Sequence, residues 1–131
     1  RYDVKVLIEN VGLRTKNNVL FDLPEYVALL DIFPQAGALL DTGHAHVNGW
    51  DIPAVVKALG ERLAACHVHD NDGNGDAHLP VGQGDIDWKA YFGAVKKYAP
   101  QATQVFEYCC GFNNTKDLEA HIAELKEDYK L

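Results

Sequence analysis

The sequence contains no methionine, only three cysteines and no apolar run of membrane-spanning length. Each absence narrows the reading. Cys66, Cys109 and Cys110 are odd in number and two of them are adjacent, a poor framework for a secreted disulfide scaffold. The thiols are therefore expected to be reduced, the Cys109-Cys110 pair buried, and the protein cytoplasmic. The longest apolar stretches, such as Tyr26 to Leu30, are cut short by residues like Asp31, whereas a membrane helix requires roughly 18 consecutive apolar residues. No signal-peptide pattern is visible. Basic residues are also scarce, with 12 Lys and Arg against 19 Asp and Glu, a formal net charge of −7. Proteins that grip nucleic acid by neutralising phosphates usually carry the opposite sign, so nucleic acid is disfavoured as a partner. The sequence starts at Arg1, although removal of an initiator methionine normally requires a small following residue. The expectation is a piece of a longer protein.

What is present is an ordinary globular composition, 47% hydrophobic and 24% charged over 131 residues, read as a single unit spanning residues 1–131. Hydrophobic periodicity gives one pattern four times: a short apolar run, a loop and a helical stretch. The runs are Val4 to Glu9, Ala38 to Asp41, Ala64 to His69 and Thr103 to Tyr108, too short for core helices and suited to buried strands. Pro24 opens a first helix over Tyr26 to Phe33, and Pro34 stops it. Asp51 caps a second, with Val55, Val56, Leu59 and Leu63 on one face. Asp87 caps a third carrying Trp88, Tyr91, Phe92 and Val95, and Thr115 a fourth with the stripe Leu118, Ile122, Leu125 and Tyr129. Strand then helix, four times over, predicts an α/β fold on a parallel sheet.

Each run ends on an ionisable residue: Glu9, Asp41, His69 and Glu107, separated by 32, 28 and 38 residues. One strand, helix and return loop take about that length, so all four can converge on one rim. Carboxylates and imidazoles ending apolar strands need compensation for repulsion and desolvation, and a divalent cation supplies it. Three carboxylates and one imidazole suit Mn²⁺, with Mg²⁺, Co²⁺ and Zn²⁺ as alternatives. Taken singly, each would be a loop acid or a hydrogen-bonded core histidine; four at matching positions favour the metal site. His67 and His69 share a face by strand alternation, and His69, nearer the rim, is chosen as the ligand. Cys66 then faces the helices. In the loop after Asp41, His44 lies one tight turn beyond the carboxylate, within reach of a substrate oxygen or a second metal. His46 is read as a solvated loop residue or a helix-side contact, and His121 as exposed. The glycine-rich stretch Asp72-Gly73-Asn74-Gly75 leads into Asp76-Ala77-His78 on the same rim.

These motifs together, Leu-Ile-Glu-Asn, Leu-Leu-Asp-Thr-Gly-His, His-Val-His-Asp-Asn-Asp-Gly, Asp-x-His-Leu-Pro-x-Gly-x-Gly-x-Ile-Asp-Trp and a last-strand Glu, resemble the xylose isomerase-like barrels. That superfamily includes sugar phosphate isomerases and epimerases and the apurinic endonucleases of family 2. The resemblance runs from about Val4 to Glu107 and implies four consecutive parallel βα units forming the C-terminal half of a (β/α)₈ TIM barrel, with its site at the carboxyl ends of the strands. A full barrel takes about 250 residues, so either an N-terminal half is missing or two copies pair as a homodimer. The resemblance further implies that Glu9, Asp41, His69 and Glu107 hold one metal, and that Glu9 and Glu107 flank the sugar carbon that loses and regains a proton through an enediolate. His44 and His78 are expected at the substrate, and Asp76 with His78 matches a pair that binds an additional metal in the endonuclease branch. The implied activity is metal-dependent isomerisation or epimerisation of a sugar or sugar phosphate. A multi-metal phosphodiesterase acting on abasic DNA is the alternative, and an inactive half-barrel module is a third. An arginine that some ketose 3-epimerases place after the metal-binding histidine is missing between Asn71 and Asp76, which keeps an inosose-type dehydratase open.

Overall fold

The computed structural model describes residues 4–131; Arg1, on which the expectation of a longer protein rests, lies outside them. Four strands, β1 (Leu7–Glu9), β2 (Gly37–Asp41), β3 (Leu63–Val68) and β4 (Thr103–Phe106), form one parallel sheet in the order of the chain. The helices are α1 (Leu23–Ile32), α2 (Thr42–Val47), α3 (Ile52–Leu59), α4 (Trp88–Tyr98) and α5 (Thr115–Tyr129). All four sequence-predicted strands are present. The first is shorter than expected, because Val4 and Val6 are exposed and stand outside β1.

Local chemistry sets the helix starts. Asp51 and Asp87 accept hydrogen bonds from the amides of Ala54 and Ala90, as the sequence predicts. In α1 the cap is Asp22, paired with Glu25 in a reciprocal capping box, so the helix begins before Tyr26. In α5 the cap is Asn114 rather than Thr115. Leu63 does not extend the α3 face; the helix ends at Leu59 and Leu63 opens β3, though it is buried there. The expected α5 stripe is only partly covered, with Leu125 alone fully buried. The region after Asp41, read as a tight turn, is the helix α2.

Alternation along the strands divides the sheet. Ala38, Leu40, Cys66 and Val68 are fully buried against Tyr26, Leu30, Val55, Val56, Tyr91 and Phe92 of the helices, as expected for Cys66. The opposite, inner face carries Glu9, Leu39, Asp41, His67 and Val105, and the helices do not cover it; Val105 is 41% exposed. The core therefore lies on one side of the sheet and the ionisable residues on the other.

Candidate active site

Parallel register decides which side chains meet. Asp41 pairs with His67, His67 pairs with Val105, and Glu9 pairs with Leu39. Since residues two apart share a face, Glu9, Asp41, His67, His69 and Glu107 all belong to the inner face at the carboxyl ends of the strands. Hydrogen bonds lock this rim. Buried Asn10 clamps the end of β2, donating to the Asp41 carbonyl at 3.0 Å and accepting its amide at 2.7 Å. Thr42 Oγ1 lies 3.1 and 3.0 Å from the carbonyls of His67 and His69 and accepts the His69 amide. The Asp41 carboxylate also caps α2, accepting from the His44 amide at 2.7 Å.

Within this frame His69 Nε2 stands 3.1 Å from Asp41 Oδ1, and both residues are buried. Burial alone pushes the Asp41 carboxyl up, but the hydrogen bond and charge of His69, together with His44, bring it below its ordinary value. Burial pulls His69 down, and its hydrogen bond to Asp41 with the charges of Asp41, Asp76 and Glu107 overcomes this, so its pKa is raised. A lowered carboxylate stabilises the fold above its unfolded pKa, and a raised histidine stabilises it below its own. The pair's contribution is thus lost on acidification, as Asp41 takes up a proton, and on alkalinisation, as His69 releases one.

The four expected ligands reach one rim as two overlapping sets that share Asp41. Donor atoms of Asp41, His69 and Glu107 lie within 4.8 Å of one another, as do those of Glu9, Asp41 and His67. The choice of one inner histidine left out a residue that the structure makes central. His67 Nδ1 lies 3.5 Å from Glu9 Oε1, 3.5 Å from Glu107 Oε2 and 3.8 Å from Asp41 Oδ2. Strand alternation had put it on this face; ranking by distance to the rim set it aside.

A second convergence surrounds Asp76. His44 Nδ1 donates to the Asn10 carbonyl at 3.1 Å and His78 Nδ1 to the Glu107 carbonyl at 2.9 Å. These backbone bonds fix both rings, leaving Nε2 of each facing Asp76 Oδ2, at 3.4 and 3.2 Å. Histidines whose other ring nitrogen is held by a carbonyl are oriented as metal ligands are. His78 also stacks on His69, with ring centroids 3.9 Å apart. The sequence points His44 to a substrate oxygen or a second metal, His78 to substrate, and Asp76 with His78 to a second metal; the fold gathers all three.

Among the described residues, two buried side-chain polar atoms lack a hydrogen-bond partner, His69 Nδ1 and Asp76 Oδ1. Folded proteins seldom leave such atoms unpaired, and both belong to these clusters. His69 Nδ1 lies against Gly43, while His69 Nε2, the open Asp76 oxygen and the carboxylates of Glu9, Asp41 and Glu107 gather hard and borderline ligand atoms, so the residue set suits the metal that the spacing of the acids suggests.

The segment bearing Asp76 and His78 hangs on a residue that no motif reading singled out. Asp70, fully buried, accepts from Trp88 Nε1 at 2.7 Å, from the amides of Gly82 and Asn71 at 2.9 Å and from Ile86 at 3.3 Å. Its backbone pairs with Leu79. Asp70→Ala strands these donors in the interior, and a loss of about 3 kcal/mol or more is expected, read as a lower urea midpoint. Gly43 is equally constrained, since a Cβ there would overlap the His69 ring. Alanine for glycine inside a helix usually gains about 1 kcal/mol. Gly43→Ala is expected to reverse that sign and to weaken Mn²⁺ binding by roughly tenfold or more, measured by thermal unfolding and metal titration.

Of the other histidines, His46 lies on α2 with Nε2 2.7 Å from Asp85. His121 is not exposed as expected; it is half-buried between Tyr108 and Phe112. Cys109 and Cys110 are both exposed, overturning the expectation of buried thiols, because they follow β4 in the loop on the open rim.

Known proteins share this fold. The xylose isomerase-like TIM barrel family matches residues 1–127. The chain belongs to that family. Its four parallel units form an α/β half of the TIM barrel. An uncharacterized protein of Methanocaldococcus jannaschii is 28% identical over 96 residues, 73% of this chain and 36% of that protein. A second from the same organism is 33% identical over 94 residues, covering 66% and 31%. The crystal structure of a D-tagatose 3-epimerase-like protein superimposes with a TM-score of 0.73 at 26% identity, covering 96% of this chain and 46% of that one. A D-allulose 3-epimerase from Methylomonas sp. gives 0.76 at 20% identity, covering 96% and 49%, a likeness of fold. The chain thus spans about half the length of these structures and about a third of the curated relatives. Among the described residues no helix is long and apolar enough to cross a membrane.

Proposed function

We propose that this half-barrel carries the metal and proton-transfer residues of an isomerase or epimerase acting on a sugar or sugar phosphate, with the rest of the ring supplied by further chain or a second copy. The observation that carries this reading is the convergence of Glu9, Asp41, the inner histidines and Glu107 on the uncovered face. Glu9, Asp41, His69 and Glu107 would hold one divalent ion, Mn²⁺ by the hardness of the donor set. Bound there, it would polarise a ketose carbonyl and its neighbouring hydroxyl and offset the charge that develops as the adjacent proton leaves.

The protein's own groups do the rest. Glu107 and Glu9 end β4 and β1, the two edge strands of the sheet, so their carboxylates approach a substrate from opposite sides. One removes the proton from the sugar carbon and the other returns it on the opposite face. His44 and His78, each pinned through Nδ1, present Nε2 to substrate oxygens. The D-tagatose 3-epimerase-like neighbour favours a ketose as substrate.

The cluster of His44, Asp76 and His78 supports a second reading, a multi-metal phosphodiesterase with an additional cation at Asp76. Its weakness is charge, since a net −7 repels a DNA backbone. Metal analysis and incubation with ketoses and ketose phosphates in deuterated water separate the two. The isomerase reading predicts deuterium at a sugar carbon with an inverted or isomerised product. Cleavage of an abasic oligonucleotide with two or more zinc ions bound, and no carbon exchange, would replace it with the second.

A further inference from the structure

The proton-transfer chemistry leaves Cys109 and Cys110 unused, yet the structure ties them to it. The amide of Cys109 donates to the His78 carbonyl at 3.1 Å, and its thiol donates to the Ala77 carbonyl at 3.3 Å. Residue 109 therefore holds, by two hydrogen bonds, the short segment that carries Asp76 and His78. His78 in turn bonds the Glu107 carbonyl, two residues before Cys109. Both residues are exposed, and they border an open cavity of about 370 Å³ walled by Phe106, Tyr108 and Phe112. The third cysteine, Cys66, is sealed in the core behind the sheet.

We infer that Cys109 and Cys110 form a thiol–disulfide switch that loosens the Asp76–His78 segment when oxidised. This rests on the reading of Asp76 and His78 as members of the site. The oxidant is a low-molecular-weight disulfide. A thiolate of the pair attacks one of its sulfurs and expels one small thiolate, forming a mixed disulfide. The neighbouring cysteine gives its proton to solvent, attacks that mixed disulfide and expels the second small thiolate. Two electrons pass from the pair to the small disulfide, and one S–S bond replaces two S–H bonds. Adjacency makes the second step intramolecular and fast relative to capture by another chain. The neighbouring Cys109 raises the Cys110 thiol above its ordinary value.

Oxidation removes the S–H that bonds the Ala77 carbonyl. The Cys109 amide lies outside the small ring that the disulfide closes, so its bond to the His78 carbonyl is left to tie the backbone of that segment without the thiol. With the thiol tie gone, Asp76 and His78 are held less firmly to the end of β4, by the Cys109 amide and the Glu107 carbonyl alone, while Asp70 and Leu79 still hold the base of the loop.

The test treats the whole chain with excess oxidised glutathione, counts free thiols in denaturant, maps the linkage by mass spectrometry and follows exchange of the Cys109 amide, which bonds the His78 carbonyl. The expected result is a fall from three free thiols to one, with Cys109 and Cys110 joined in the same chain. Exchange at that amide is expected to speed up roughly fivefold or more, as its bond to the loosened segment opens more often. Cys109→Ser, which keeps a hydroxyl donor and cannot close the ring, is expected to retain slow exchange in the oxidant. Stable glutathione adducts on both sulfurs, a disulfide between chains, or an internal disulfide with unchanged exchange would each overturn the switch. None of these readouts depends on turnover, so the absence of sugar chemistry would sink the functional reading and leave this test intact.

Discussion

Glu107→Gln is expected to lower ketose turnover by about a thousandfold or more, within the range general bases contribute, while divalent-cation binding survives in weakened form. Glutamine matches the shape of glutamate and keeps an oxygen that can face a cation, but it cannot accept a proton at neutral pH. The Glu107 side chain is half-exposed and lies 3.5 Å from His67 Nδ1, so the substitution removes a charge without opening a cavity. Solvent deuterium entering the sugar carbon reports the proton step itself. Wild-type exchange in Glu107→Gln would remove this residue from the proton-transfer role, whatever its effect on metal.

Asp41 is expected to show the larger combined effect. Its carboxylate meets His69, caps α2 and contributes to both overlapping donor sets. Asp41→Ala removes a cap, typically about 1 kcal/mol, and breaks a buried pair, typically about 3 kcal/mol or more; the two losses overlap at one carboxylate. A stability loss of about 3 kcal/mol with no measurable cation binding is expected. Asp41→Asn separates the two contributions. The amide oxygen still accepts the His44 amide, so most of the stability is expected to remain, whereas the missing charge should still abolish cation binding. A folded Asp41→Asn protein that binds Mn²⁺ like the wild type would contradict the placement of the metal.

The strands and the face that carries the site were legible because both follow from local periodicity. Apolar runs of strand length marked β1 to β4, and alternation put His67 and His69 together on the inner side. Asp51 and Asp87 could be recognised as caps because each stands directly before an apolar helical pattern. The helix α2 could not, since Thr-Gly-His-Ala-His has weak helical propensity and no long stripe. Its start is fixed by Asp41 and its position by packing, with Ala45 and Val47 buried. Asn10, Thr42 and Asp70 stand in the quoted motifs, but their bracing roles were illegible for another reason. Their hydrogen bonds reach 31, 25 and 18 residues away, and such partnerships leave no spacing signature. His44 was separated from Asp76 for the same reason, since only the fold brings α2 and the loop bearing Asp76 together. The exposure of Cys109 and Cys110 depends on where the loop after β4 lies, and residue type alone pointed the other way.

The common cation of Glu9, Asp41, His69 and Glu107 is the claim on which the chemistry rests, and a Mn²⁺ titration followed by electron paramagnetic resonance tests it most directly. Glu9 and Asp41 lie outside the His69, Asp76 and His78 set, so their variants distinguish the two centres. The account predicts a saturable Mn²⁺ site whose affinity falls at least roughly tenfold in Glu9→Gln and vanishes in Asp41→Asn. No saturable binding, or binding that both variants leave unchanged, would contradict it.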